Sequence, residues 1–146
     1  MASKAQLETL MDLAQRAVDD AAKRLGAALK AVDEAKQKHQ MLVGFRDEYL
    51  QRFQQSQQAG ITPMAYRNYM AFIEKLDTAV KGQADMVKHA EQRSEQQKVV
   101  WQACERKRMS YSTLNDRADA AALKQENKRD QKQMDEHAAR QAYYRR

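Results

Sequence analysis

The sequence predicts an all-α fold: two long helices in an antiparallel coiled-coil hairpin, with the second helix longer than the first. Three observations predict it. Four glycines and one proline in 146 residues leave almost nothing to turn the chain with. Ala, Glu, Leu, Lys and Arg make up 69 residues, about 47% of the chain, a profile that suits long helices or coiled coil. Apolar residues recur at alternating steps of four and three on both sides of the one strong break. Leu, Ile, Val and Phe together number only 22, which on its own is also compatible with disorder. The heptads decide for the helices.

The first helix is expected over residues 4–57. One set of its seam positions is Leu7, Ala14, Ala21, Ala28, Ala35, Leu42, Tyr49 and Ser56; the other is Met11, Val18, Leu25, Val32, His39, Arg46 and Phe53. A seven-residue apolar repeat drifts slowly around a 3.6-residue helix and so gives left-handed packing against a neighbour. The many alanines allow close approach but bury little area each. Gly26, Gly44 and Gly82 stand isolated inside helical patterns, and each costs about 1 kcal/mol relative to Ala without ending a helix.

The turn is expected over residues 58–62. Gly60 can take the conformation that ends a helix, Thr62 can cap the next one, and Pro63 falls at the first helical position, where its missing N–H costs nothing. Ile61 and Tyr66 stand at the positions of a hydrophobic staple.

The second helix is expected over residues 63–140, with 141–146 frayed. Its seam sets are Tyr66, Ile73, Val80, Val87, Ser94 and Trp101, and Tyr69, Leu76, Gln83, Ala90, Gln97, Cys104, Tyr111 and Ala118. So short a connection forces the helices antiparallel within one elongated domain, 1–146. At 1.5 Å per residue the first helix is roughly 80 Å long and the second nearer 115 Å. Pairing outward from the turn exhausts the first helix near residue 116. The remainder of the second helix is weakly apolar and strongly charged, and needs a partner to order against.

Phe45, Tyr49, Phe53, Tyr66, Tyr69 and Phe72 crowd the turn, more aromatic surface than two helices can bury between them. Leu42, Phe45 and Tyr49 form a stripe that Phe72, Leu76 and Ala79 can face. Either these groups cover one another as a plug at the tip, or they leave an exposed docking patch with aromatic anchors.

Nothing in the chain points to catalysis. His39, His89 and His137 lie on different stretches with no cysteine pair, so no metal site is expected, and no cofactor. Cys104 occupies a seam position as a small apolar filler. Net charge is +6, and residues 106–146 carry 11 bases against 6 acids. Arg106, Lys107, Arg108 and Arg117 can grip phosphates, but Glu105, Asp116 and Asp119 flank them, so nucleic acid is not expected as a partner. No apolar run approaches the roughly 18 residues of a transmembrane segment.

Several stretches resemble the flagellar FliJ family. They are Leu7-Glu8-Thr9-Leu10-Met11-Asp12-Leu13-Ala14, Val18-Asp19-Asp20-Ala21-Ala22 and Leu25-Gly26 near the amino terminus, and Glu48-Tyr49, Asn68-Tyr69 and Phe72-Ile73 around the tip. The strongest match is distal: Leu114, Asp116-Arg117, Ala120-Ala121-Ala122-Leu123, Glu126-Asn127, Asp130-Gln131-Lys132 and Met134-Asp135-Glu136. The resemblance implies a non-enzymatic component of the flagellar export apparatus. It would act as central stalk of the hexameric flagellar export ATPase, link that ring to the membrane export-gate protein and assist flagellar substrate chaperones. Location would be cytoplasmic, peripheral to the inner membrane at the flagellar base. Carried over by position, Leu42, Phe45, Tyr49, Phe72, Leu76 and Ala79 fall on the family's gate-docking patch. Lys38 and Gln83 fall at its edge, where the residue type departs from the family. The ring-facing end is the paired termini, with Leu7, Leu10, Leu13, Arg117, Leu123, Asn127, Arg129, Lys132 and Met134. The alternative is a general coiled-coil escort chaperone or scaffold without ATPase coupling.

Overall fold

Ser3 starts the first helix with a reciprocal cap: its Oγ accepts from the backbone N–H of Gln6 at 3.2 Å, and Gln6 Oε1 accepts from the backbone N–H of Ser3 at 3.0 Å. Two otherwise unpaired donors are satisfied at once. Helix α1 then runs unbroken through Lys4–Ala59, and helix α2 through Pro63–Tyr144. These elements come from a computed structural model that describes residues 3–145. The second helix thus continues past residue 140, where the sequence placed its end; Arg146, the last residue of the expected frayed segment, lies outside the described residues.

Between the helices the chain reverses as the residue types require. Gly60 has φ +91°, a conformation that a Cβ strains, and its N–H donates to the Gln57 carbonyl at 3.2 Å. Thr62 Oγ1 accepts from the N–H of Ala65 at 3.1 Å, and the Thr62 carbonyl accepts from the N–H of Tyr66 at 3.0 Å, which opens α2 with Pro63 in its first turn.

The two helices pack antiparallel, with α2 the longer. Each meets a single neighbour, so side chains are covered on one side only. The buried residues are Leu7, Ala14, Val18, Ala21, Ala28, Ile73 and Val80, all apolar and all at heptad positions. Every residue of the two α1 seam sets is buried or half-buried; elsewhere in α1 only Val43 and Leu50 are half-covered. On α2 the seam differs from the expected one at its ends. Tyr66 is 43% exposed, and the smaller Ala65 beside it is half-buried instead. Ala118 is exposed, whereas Arg108 and Asn115 are half-buried and carry the first set two heptads further.

Two compact units divide the chain, Asp20–Gln102 and Met1–Asp19 with Ala103–Arg146. Within Asp20–Gln102 the register steps down α1 as it climbs α2. Ser56 Oγ and Tyr69 Oη lie 3.1 Å apart, Arg46 and Asp77 pair at 3.6 Å, and Lys36 and Glu91 pair at 3.5 Å. The Gln83 side chain donates to the Ala35 carbonyl at 3.1 Å, tying a polar seam residue to the opposite backbone. Within the other unit Lys4 reaches Asp119 at 3.7 Å across the helices. Both Lys4 and Asp119 are exposed, so this contact contributes little, within about 1 kcal/mol.

Candidate functional site

The aromatic residues near the turn divide into two groups. Tyr49 sits 5.3 Å from Tyr69 and 4.4 Å from Phe72 between ring centroids, and Phe53 sits 5.6 Å from Tyr66 and 5.4 Å from Tyr69. All four pairs are tilted, the arrangement in which ring edges meet ring faces, worth about 0.5–1.5 kcal/mol each beyond area burial. Tyr49, Phe53 and Tyr69 plug the seam. Phe45 and Phe72 do not: they remain 51% and 44% exposed.

Those two rings open onto a shallow groove of about 360 Å³, lined by Phe45, Glu48, Tyr49, Arg52, Phe72 and Leu76. Helix spacing explains it: Phe45 and Tyr49 lie one turn apart on α1, and Phe72 and Leu76 one turn apart on α2. Arg52 donates to Glu48 at 3.4 Å along its rim. Of the other expected patch residues, Leu42 is half-buried and Ala79 exposed, and neither lines the groove. The lining combines three rings and Leu76 with the Glu48–Arg52 ion pair, chemistry that can take an apolar group with charge beside it. One polar seam position carries a guanidinium whose pairing the sequence did not predict. Arg46, a seam residue, holds Asp77 at 3.6 Å and Asp47 at 3.5 Å, while its Nε has no hydrogen-bond partner.

A second surface belongs to the unit of the two termini. Leu7 is buried, whereas Leu10 and Leu13 are exposed. With Ala14 and Ala17 they line a groove of about 210 Å³, closed on the α2 side by Cys104, Lys107 and Tyr111. Nearby, Arg108 Nε donates to Glu105 at 3.3 Å, and the terminal nitrogen of Arg108 makes a second bond to the same carboxylate. These hydrogen bonds hold Glu105 below the usual carboxylate range and push Arg108 up. From Asp116 to Arg145 every residue is exposed. Arg117, Leu123, Asn127, Arg129, Lys132 and Met134 all lie there, with Leu123 58% exposed among the described residues.

Among the described residues, no group of three His, Cys, Asp or Glu side chains is placed to hold a metal ion, and no helix is long and apolar enough to cross a membrane. What the geometry offers is surface, so the decisive comparison is of whole chains. The family model for the flagellar FliJ protein matches residues 3–146.

The chain belongs to the flagellar FliJ family.

It is 35% identical over 142 residues to the flagellar FliJ protein of Salmonella typhi and 34% identical over 142 residues to that of Escherichia coli strain K12, covering 97% of both chains in each case. FliJ proteins are non-catalytic structural and adaptor components of the flagellar export apparatus, and this chain is one of them. Family membership therefore gives the two exposed surfaces a context: a coiled coil whose work is contact.

Proposed function

We propose that this FliJ-family chain is the central stalk of the hexameric flagellar export ATPase ring, that it links the ring to the membrane export-gate protein, and that it assists delivery by substrate chaperones. It works in the cytoplasm, held at the inner face of the membrane by its partners. The observation that carries the reading is the exposed run of α2 from Asp116 to Arg145, which among the described residues is uncovered apart from the Lys4–Asp119 ion pair at its start. An unpaired helix of this composition buries almost nothing, so its order is best supported by an external surface. The ring meets the paired termini, including Leu7, Leu10, Leu13, Arg117, Leu123, Asn127, Arg129, Lys132 and Met134. Contacts that differ among the states of the ring subunits would bias those states, which couples the stalk to hydrolysis without chemistry of its own. The gate protein meets the patch of Leu42, Phe45, Tyr49, Phe72, Leu76 and Ala79, four of which line the groove, and Phe45 and Phe72 supply the anchors.

The test is ATP hydrolysis and ring assembly by the cognate ATPase with and without this chain. Faster turnover or a more populated ring is expected. An unchanged rate and unchanged assembly favour the escort-chaperone reading instead. For the gate, Phe45→Ala with Phe72→Ala weakens binding while helical content is kept; full retention of binding removes the groove from the mechanism.

A further inference from the structure

The charges on the distal part of α2 are sorted by face. Arg117, Lys124, Lys128 and Lys132 succeed one another at seven, four and four residues, and Arg106 precedes Arg117 by eleven. At 100° per residue these five bases share one arc of about 80°. Glu105, Asp116, Asp119, Glu126 and Asp130 share another arc of about 80° on the far side of the helix. Between Arg106 and Lys132 no acid enters the basic arc. The one base in the acidic arc is Arg108, which is tied to Glu105. The ridge runs about 40 Å at 1.5 Å per residue.

This sorting does not serve the isolated helix. Lys124, Lys128 and Lys132 repeat at i, i+4, where like charges repel and opposite charges would stabilise. All five bases are exposed, and among the described residues none forms an ion pair within the chain. Four of the five have no acid one turn away on the helix, only Lys132 having Asp135 and Glu136 there, and a basic ridge with so little internal counter-charge calls for an external one.

We propose that this ridge docks an acidic α-helix of a protein partner laid alongside α2. The inference rests on the reading of this end as partner-facing and adds the chemistry of what it meets. Leu114 and Ala121 fall within the same arc, so the floor between the charges is small and apolar, which lets a second helix approach closely. Steps of seven and four are also the steps at which a helix can present acids along one face. A bilayer is a poorer occupant: Leu114 is the only large apolar group on the ridge, whereas surface-lying helices insert several. Nucleic acid is poorer too, because the opposite face carries five acids that oppose long-range attraction to phosphates.

The test uses the full chain and a synthetic helical peptide with its glutamates confined to one face at steps of four and seven. A peptide of the same composition with glutamates scattered around the helix is the comparison. The faced peptide binds about tenfold tighter at low salt, a preference that added salt erodes. Replacing Lys124, Lys128 and Lys132 by Gln abolishes the preference with helical content unchanged, whereas Glu126→Gln with Asp130→Asn on the far face keeps it. Equal affinity for the two peptides overturns the proposal, as does equal loss from the two sets of substitutions. Tighter capture by phosphatidylglycerol vesicles or by duplex DNA than by the faced peptide overturns it as well. Because the probe is a designed helix, a negative result counts against the ridge whatever the ATPase assay gives. A null ATPase assay counts against the stalk whatever the peptide gives.

Discussion

The ring of Tyr49 on α1 lies 4.4 Å from that of Phe72 on α2, tilted by 44°, and this pair joins the closed seam to the open groove. Tyr49 also touches Tyr69 and is half-buried, whereas Phe45, one turn away, is more than half exposed. Truncation should therefore separate stability from docking. Tyr49→Ala loses two ring contacts and costs about 2 kcal/mol, while Phe45→Ala stays within about 0.5 kcal/mol. Denaturant unfolding of the two variants checks the order; a Phe45 cost equal to that of Tyr49 contradicts the division.

Backbone conformation gives a second pair of opposite expectations. Gly60→Ala places a side chain at φ +91° and should destabilise by about 1–2 kcal/mol. Gly26, Gly44 and Gly82 are helical, and a Cβ built on any of them meets nothing within 4 Å. Each Gly→Ala change there should stabilise by about 1 kcal/mol. Thermal melts of the four variants distinguish the sites by sign alone.

Glu105 and Arg108 give a pH dependence. The Arg108 hydrogen bonds hold the Glu105 carboxyl below its ordinary range, so its folded pKa is depressed relative to the unfolded one. Such a group stabilises the fold above the ordinary carboxylate range, and that contribution disappears as pH falls through the folded pKa. Carboxyl NMR titration should show Glu105 protonating at lower pH in the native chain than in an Arg108→Gln variant. Coincident midpoints would show that the pair does not persist in solution.

Protection should also be uneven along α2. Amides near Ile73 and Val80 sit over buried side chains, whereas those from Leu123 to His137 sit in a run of exposed ones. Hydrogen exchange is expected to be faster by orders of magnitude in the distal run, because opening it breaks almost no apolar contact. Addition of the ATPase should slow exchange there if the stalk reading holds. Uniform protection along α2 in the free chain would mean that the distal run has found another partner, such as a second copy.

Much of the architecture is legible from residue types. The cap signals of Thr62 and Pro63 and the positive φ of Gly60 depend on local sterics and local hydrogen bonds, and sequence carries both. The α1 seam is legible for a related reason: fifteen positions at heptad spacing can share a face in only one way. The capping box of Ser3 and Gln6 carries the same kind of signal in its Ser-x-x-Gln spacing. The ends of the α2 seam are less legible. Tyr66 lies beside the turn, where it leans on Phe53 yet stays 43% exposed, and Ala118 lies opposite the start of α1. Heptad counting gives the period of a helix, whereas where cover ends came from matching the two helix lengths outward from the turn, which placed that end near residue 116 and so before Ala118.

From the sequence alone came the helices, their turn, the inward face of α1 and all but the ends of the inward face of α2. These features arise from periodicity and backbone chemistry within one stretch of chain. Tertiary structure alone decided which aromatics close on one another and which stay open. The tip closes on itself only in part, because Tyr49 and Phe53 have ring partners across the seam and Phe45, with none, stays exposed. Cross-helix pairs such as Gln83 with Ala35 and Arg46 with Asp77 were likewise decided only there. Such pairs depend on the register between two helices, and a register is a property of both strands of the coiled coil together.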